Sequence, residues 1–171
     1  TLGVYFGQPV APIVARLLDE SLADGGWNCD AENGSVRASF ATTINVLAGL
    51  RAYERATDGS ATLVAARRRG EEYLLERRLM RRKSTGALDY FRAVGDSPDP
   101  RLAEAIELVR SKQQPDGTWL LENTHPGAVH FELEDGDGRP SRWNTLRALR
   151  VLRWYDEARG GETETTAPTP R

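Results

Sequence analysis

The chain has 171 residues, 39% of them hydrophobic and 28% charged, which is enough for one domain with a core of its own. Its 23 basic and 25 acidic side chains nearly cancel, so no overall field of one sign is available to hold a polyanion, and nucleic acid is not expected as a partner. The single cysteine cannot form an intrachain disulfide. No charged-then-apolar leader and no run of about 18 apolar residues is present, so the expectation is a soluble, cytoplasmic protein without a transmembrane segment.

In chain order, Ile13, Leu17 and Leu18 fall at helical spacing and lead into an Asp24-Gly25-Gly26-Trp27 turn. A polar loop with Cys29, Asp30, Glu32 and Asn33 follows. Ser39 is then placed to cap a helix whose apolar face is Phe40, Ile44, Leu47 and Leu50. Residues 70–79, GEEYLLERRL, repeat the first helix at an offset of 57, so that Leu74, Leu75 and Leu79 take the places of Leu17, Leu18 and Leu22. The arginines at 67–69, 77, 78, 81 and 82 alternate with Glu71, Glu72 and Glu76, a pattern that predicts a salt-bridged outer surface.

The second helix of this middle copy survives only as ALDYFRAVG, with Leu88 and Phe91 where the first copy has Leu50 and Tyr53. Trp27 lies much further from Leu50 than its equivalent Ser84 lies from Leu88, and about 19 residues that the repeat predicts are absent near 84–87. Either the copy is truncated or a loop and half a helix are missing there; the second is the expectation, because half a helix leaves its neighbours without a packing partner.

A third copy begins with Ile106, Leu108 and Val109 and reaches Asp116-Gly117-Thr118-Trp119, at an offset of 92 from the first turn. Beyond it the offset is 102, pairing Ser39 with Ser141, Thr43 with Thr145, Leu47 with Leu149, Leu50 with Leu152 and Tyr53 with Tyr155. The third loop is therefore ten residues longer than the first. Its helix is expected to bury Leu146, Leu149, Leu152 and Tyr155. No stretch alternates with period two for long enough to require a strand, so the prediction is an all-α fold of helical hairpins over 1–159, three repeats in one domain. From Gly160 the sequence has no apolar side chain larger than alanine, which predicts a disordered tail over 160–171.

The segments RGEEYLLERRL and SKQQPDGTW resemble the two halves of the glutamine-tryptophan repeat of terpenoid cyclases. DGGW at 24–27 is similar both to that repeat and to the glycine-glycine-aromatic turn of protein prenyltransferase β subunits. The resemblance covers most of residues 9–157. It implies an α/α toroid in which an inner ring of helices surrounds an apolar cavity for an isoprenoid. With three hairpins the chain would be an incomplete or open arc, calling for a homo-oligomer or a partner to cover the exposed inner face. The resemblance also implies a structural role for the turn residues Asp24, Gly25, Trp27, Asp116, Gly117 and Trp119, with each tryptophan packed between hairpins.

Neither family chemistry transfers residue by residue. The Asp-X-Asp-Asp acid of class II cyclases is absent, and ELEDGDG at 132–138 is too glycine-rich to replace it. The prenyltransferase zinc site fails as well: alanine stands at 41 where the histidine would be, and no aspartate lies two residues before Cys29.

The loops after the turns remain the candidate site, because equivalent loops of stacked hairpins share one end of the array. Cys29, Asp30, His130, Glu132 and Asp135 are the candidate catalytic residues, and Glu32, Phe40, His125, Arg139, Arg142 and Trp143 the candidate substrate contacts. A divalent metal on Cys29, His130 and a carboxylate is conceivable, against the simpler reading of a small cysteine and hydrogen-bonded loop histidines. EDGDG has the clustered oxygens of a calcium or magnesium loop but not the spacing of an EF-hand. Two functions follow: a cyclase- or prenyltransferase-like protein acting on an isoprenoid or other apolar molecule, or a noncatalytic repeat module that binds a lipid or protein partner.

Overall fold

A computed structural model describes residues 9–79, 84–95, 97–122, 124 and 133–164. These residues are mostly helical, with α1 at Ala11–Asp19, α2 at Phe40–Thr57, α3 at Ala61–Glu76, α4 at Ser84–Val94, α5 at Ala103–Ser111 and α6 at Arg142–Glu164. The chain forms two compact units, Thr1–Lys83 and Ser84–Arg171. The boundary falls where the repeat loses its register: Ser84, at the position that holds tryptophan in the other two copies, is the first residue of α4.

In the first unit α1 carries Pro12 in its first turn, where its fixed φ suits the helix, and buries Val14, while Ile13 is exposed. Ser39 and Ser60 cap α2 and α3 by accepting hydrogen bonds from the backbone N–H groups of Thr42 and Leu63, at 3.4 and 3.2 Å. Helix α2 buries Phe40, Thr43, Val46, Leu47 and Leu50, and Ile44 is only half-buried. Helix α3 packs along it, Gly70 against Leu47 and Tyr73 against Phe40, and also buries Leu63, Ala66, Leu74 and Leu75. Arg67 is only 5% exposed. That corrects the expected outer surface for the 67–69 arginines: Arg68 and Arg69 face solvent, whereas Arg67 lies between α2 and α3 and pairs with Glu54 across the helices.

Gly70 explains how the helices come so close. A Cβ there would lie 2.7 Å from Cζ3 of Trp27 and 2.9 Å from Cδ2 of Leu47, so hydrogen is the only side chain that fits without movement. Replacing Gly70 with alanine is expected to cost about 1–2 kcal/mol, the overpacking penalty outweighing alanine's better helix propensity. Urea unfolding followed by far-UV circular dichroism measures this, and an unchanged or raised midpoint would contradict the contact.

In the second unit α6 packs on α4, α5 and the strand pair. The sheet is a correction to the strand-free expectation: Trp119–Leu120 (β1) and Pro140–Ser141 (β2) pair antiparallel, Trp119 opposite Ser141. The first unit makes the corresponding contact as a single hydrogen bond from Ser39 N to the Trp27 carbonyl, 2.8 Å. The longer third loop leaves and returns alongside itself, adding Leu121 N to Arg139 O at 2.8 Å and Gly138 N to Leu121 O at 2.7 Å. Two-residue strands are too short to show alternation in sequence.

The core face of α6 also differs from expectation. Ala148, Val151, Leu152 and Tyr155 are buried, but Leu146 is 39% and Leu149 49% exposed. Helix α6 continues past Gly160, where the tail was expected to begin, to Glu164. No described helix is long and apolar enough to cross a membrane.

Candidate functional site

The two tryptophan turns are the most regular feature of the chain. Trp27 N–H and Trp119 N–H each donate to a threonine hydroxyl on the following helix, Thr43 and Thr145, both at 3.0 Å. Each indole N–H reaches back to the carbonyl ten residues earlier, Leu17 at 2.6 Å and Val109 at 2.7 Å. Both indoles are buried. The turn backbones agree too: Gly25 N bonds Leu22 O and Gly117 N bonds Gln114 O, with positive φ at both glycines. Gly25 needs more than its φ, since a Cβ there would stand 2.9 Å from the Arg69 carbonyl of α3.

The turn aspartates act differently in the two copies. Asp24 Oδ2 accepts the Ala38 N–H at 2.9 Å, tying the turn to the start of α2. Asp116 accepts both the hydroxyl and the N–H of Thr118, at 2.7 and 3.0 Å, and these bonds hold its carboxyl below the usual aspartate range. In both units the tryptophan clamps the end of one helix to the beginning of the next. The helix threonines Thr43 and Thr145 are visible in sequence only as repeat markers; their hydrogen bonds require the fold.

The loop after the first turn is held largely by its own polar groups. Asn28 Nδ2 donates to Ser35 Oγ at 2.8 Å and to the Arg37 carbonyl at 2.7 Å, while its Oδ1 accepts Asp30 N–H at 3.0 Å. Asp30 Oδ1 in turn accepts from Asn33 Nδ2 at 2.7 Å. Cys29 is exposed, and its backbone N–H contacts the Thr42 hydroxyl at 3.4 Å. Glu32 is exposed and ion-paired with Arg16, which also bonds Glu20 at 2.6 Å. Phe40 is buried, its ring 5.6 Å from that of Tyr73, whose hydroxyl donates to the Ala38 carbonyl at 2.8 Å. Burial pushes the Tyr73 phenol above its ordinary value; the nearby Arg77 guanidinium opposes that rise and the Asp24 carboxylate adds to it.

In the third loop His125, His130 and Glu132 lie outside the described residues. The remainder close the loop onto α6. Asp137 accepts the Thr124 hydroxyl at 2.7 Å, Arg142 reaches the Leu133 carbonyl at 2.8 Å, and Glu134 accepts the Trp143 N–H at 3.3 Å near the start of α6. An acidic side chain there suits the positive end of the helix dipole. Arg139 and Asp135 are exposed. Among the described residues no three histidine, cysteine, aspartate or glutamate side chains gather as a metal site would require.

Among the described candidate substrate contacts, Trp143 is the one that belongs to an exposed apolar surface. It is 51% exposed and shares the outward side of α6 with Leu146 and Leu149. Leu47, the repeat equivalent of Leu149, is 0% exposed because α3 lies against it, and Gly70 of α3 makes the contact. The second unit has no described helix in that position on α6. Comparison with family models, with characterised proteins and with solved structures gives no match to the chain.

Proposed function

We propose that the protein is a noncatalytic α/α repeat module of the kind found in terpenoid cyclases and protein prenyltransferases, and that it binds an apolar partner across the open face of α6. The repeated tryptophan clamps support the repeat class, and the resemblance supplies the toroidal arc of hairpins. The observation that carries the binding reading is Leu149, half-exposed where its repeat equivalent is fully covered. Exposed apolar side chains grouped on one helix, beside surface arginines, mark an interaction surface more readily than scattered ones do. The local hydrogen bonds of Asp30 and the ion pair of Glu32 favour binding over catalysis in the first loop.

Farnesyl diphosphate is a suitable probe, because its apolar chain matches Trp143, Leu146 and Leu149 and its anion matches Arg147 and Arg150. Titration is expected to change the tryptophan emission, with Leu149→Asp weakening binding at least about tenfold, the equivalent of 1.4 kcal/mol. Turnover of the compound, or binding indifferent to Leu149→Asp, would overturn the proposal.

A further inference from the structure

We infer that the open face of α6 is covered by the same face of a second copy of the chain, the two α6 helices lying antiparallel. This inference rests on the reading of that face as a binding surface and names its occupant. The charge order along α6 points to it. Arg142, Arg147, Arg150 and Arg153 occupy the N-terminal half, all exposed, and Asp156 and Glu157 follow, with Arg159 after them lying over the Tyr155 ring. The first turn holds no acidic residue and the last no basic one. Such an order opposes the helix dipole, which favours acids near the N-terminus and bases near the C-terminus.

An antiparallel partner reverses the disadvantage. Arg147 and Arg150 of one copy would then face Asp156 and Glu157 of the other, twice over by symmetry, about a crossing near Leu152, with Leu149 and Leu146 of each copy about one and two turns from it. Among the described residues Arg147 and Arg150 have no hydrogen-bond or ion-pair partner. Asp156 pairs with Arg110, and Glu157 bonds Arg153 at 2.7 Å, both on exposed side chains that can be shared across an interface. Three half-exposed apolar side chains fall short of a standard interface of about 1,600 Å². The expected assembly is therefore a reversible, salt-sensitive dimer.

Sedimentation velocity of the full chain over a concentration series tests this. The expected result is a monomer–dimer equilibrium weakened by added salt, and reduced at least tenfold both by Leu149→Asp and by Arg147→Glu with Arg150→Glu. Leu149 and both arginines are exposed, so circular dichroism of the variants should match the parent. A chain that stays monomeric throughout, or a dimer indifferent to both variants, overturns the inference. Farnesyl diphosphate binding that depends on Leu149 in a strictly monomeric chain would overturn only the second copy and leave the binding face standing. Loss of both results would remove both.

Discussion

Trp27→Ala is expected to lower the stability of the first unit by about 3–5 kcal/mol, the usual cost of emptying a large buried aromatic site. The ring cannot be replaced by local collapse, because it stands between α1 and α3: its N–H holds the Leu17 carbonyl at 2.6 Å, and its six-membered edge lies where a Gly70 side chain would be. Removing it leaves a cavity and a carbonyl without its donor. Trp27→Phe separates these terms, since it keeps most of the ring and loses the hydrogen bond, for which about 1 kcal/mol is expected. Hydrogen exchange with mass spectrometry provides the check, with protection falling within residues 9–79. Trp119→Ala should produce the same loss within 97–122. If protection in 9–79 survives Trp27→Ala, the clamp is not what joins these helices.

The clamp was legible in sequence because it occurs twice. Asp-Gly-X-Trp in two places, each followed by a capping serine and then a threonine at matching offsets, constrains local geometry strongly, and both copies form the same hydrogen bonds. Helix α6 was harder to read. Leu146, Leu149, Leu152 and Tyr155 lie three residues apart, and at about 100° per residue each step drifts by about 60° around the axis, so the four span half the circumference. The core takes only the last two. Which part of such a drifting stripe is covered depends on whether another helix packs there, and that is a property of neighbours rather than of spacing.

Arg67 departs from the expected outer surface for a related reason. Arg67 and Glu71 sit four residues apart on α3, the spacing of an ordinary exposed ion pair. Only the fold brings Arg51 and Glu54 of α2 against them. The site was the least legible part, because ligand sets drawn from separate loops carry no fixed spacing. In the first loop Asn28, Asp30 and Asn33 bond one another and Glu32 pairs with Arg16 of α1, while His125, His130 and Glu132 lie outside the described residues.

Arg67→Met is the second large expected effect, a loss of about 3 kcal/mol. Arg67 donates to Glu54 at 2.8 Å and to Glu71, with all three side chains largely removed from water. Removing one member of a buried ion cluster typically costs about 3–5 kcal/mol, and the lower end applies because Arg51 still bonds Glu54 at 3.2 Å. Replacing the cluster together, Arg67→Met and Arg51→Met with Glu54→Leu and Glu71→Leu, should recover most of that loss, since apolar groups of similar volume leave no charge unpaired.

The pH dependence isolates the electrostatic part. Burial pushes the Glu54 carboxyl up, but the hydrogen bonds and charges of Arg51 and Arg67 together outweigh it, and the group sits below its ordinary range. A carboxyl depressed on folding stabilises the protein above its unfolded value, about 4.3, and that contribution is lost as the pH falls through the lower folded value. Thermal midpoints of the parent should therefore drop across this acid window, and Glu54→Gln should flatten the drop. A parent and a Glu54→Gln chain with the same acid slope, or a quadruple variant as unstable as Arg67→Met, would show that the charges between α2 and α3 do not hold these helices together.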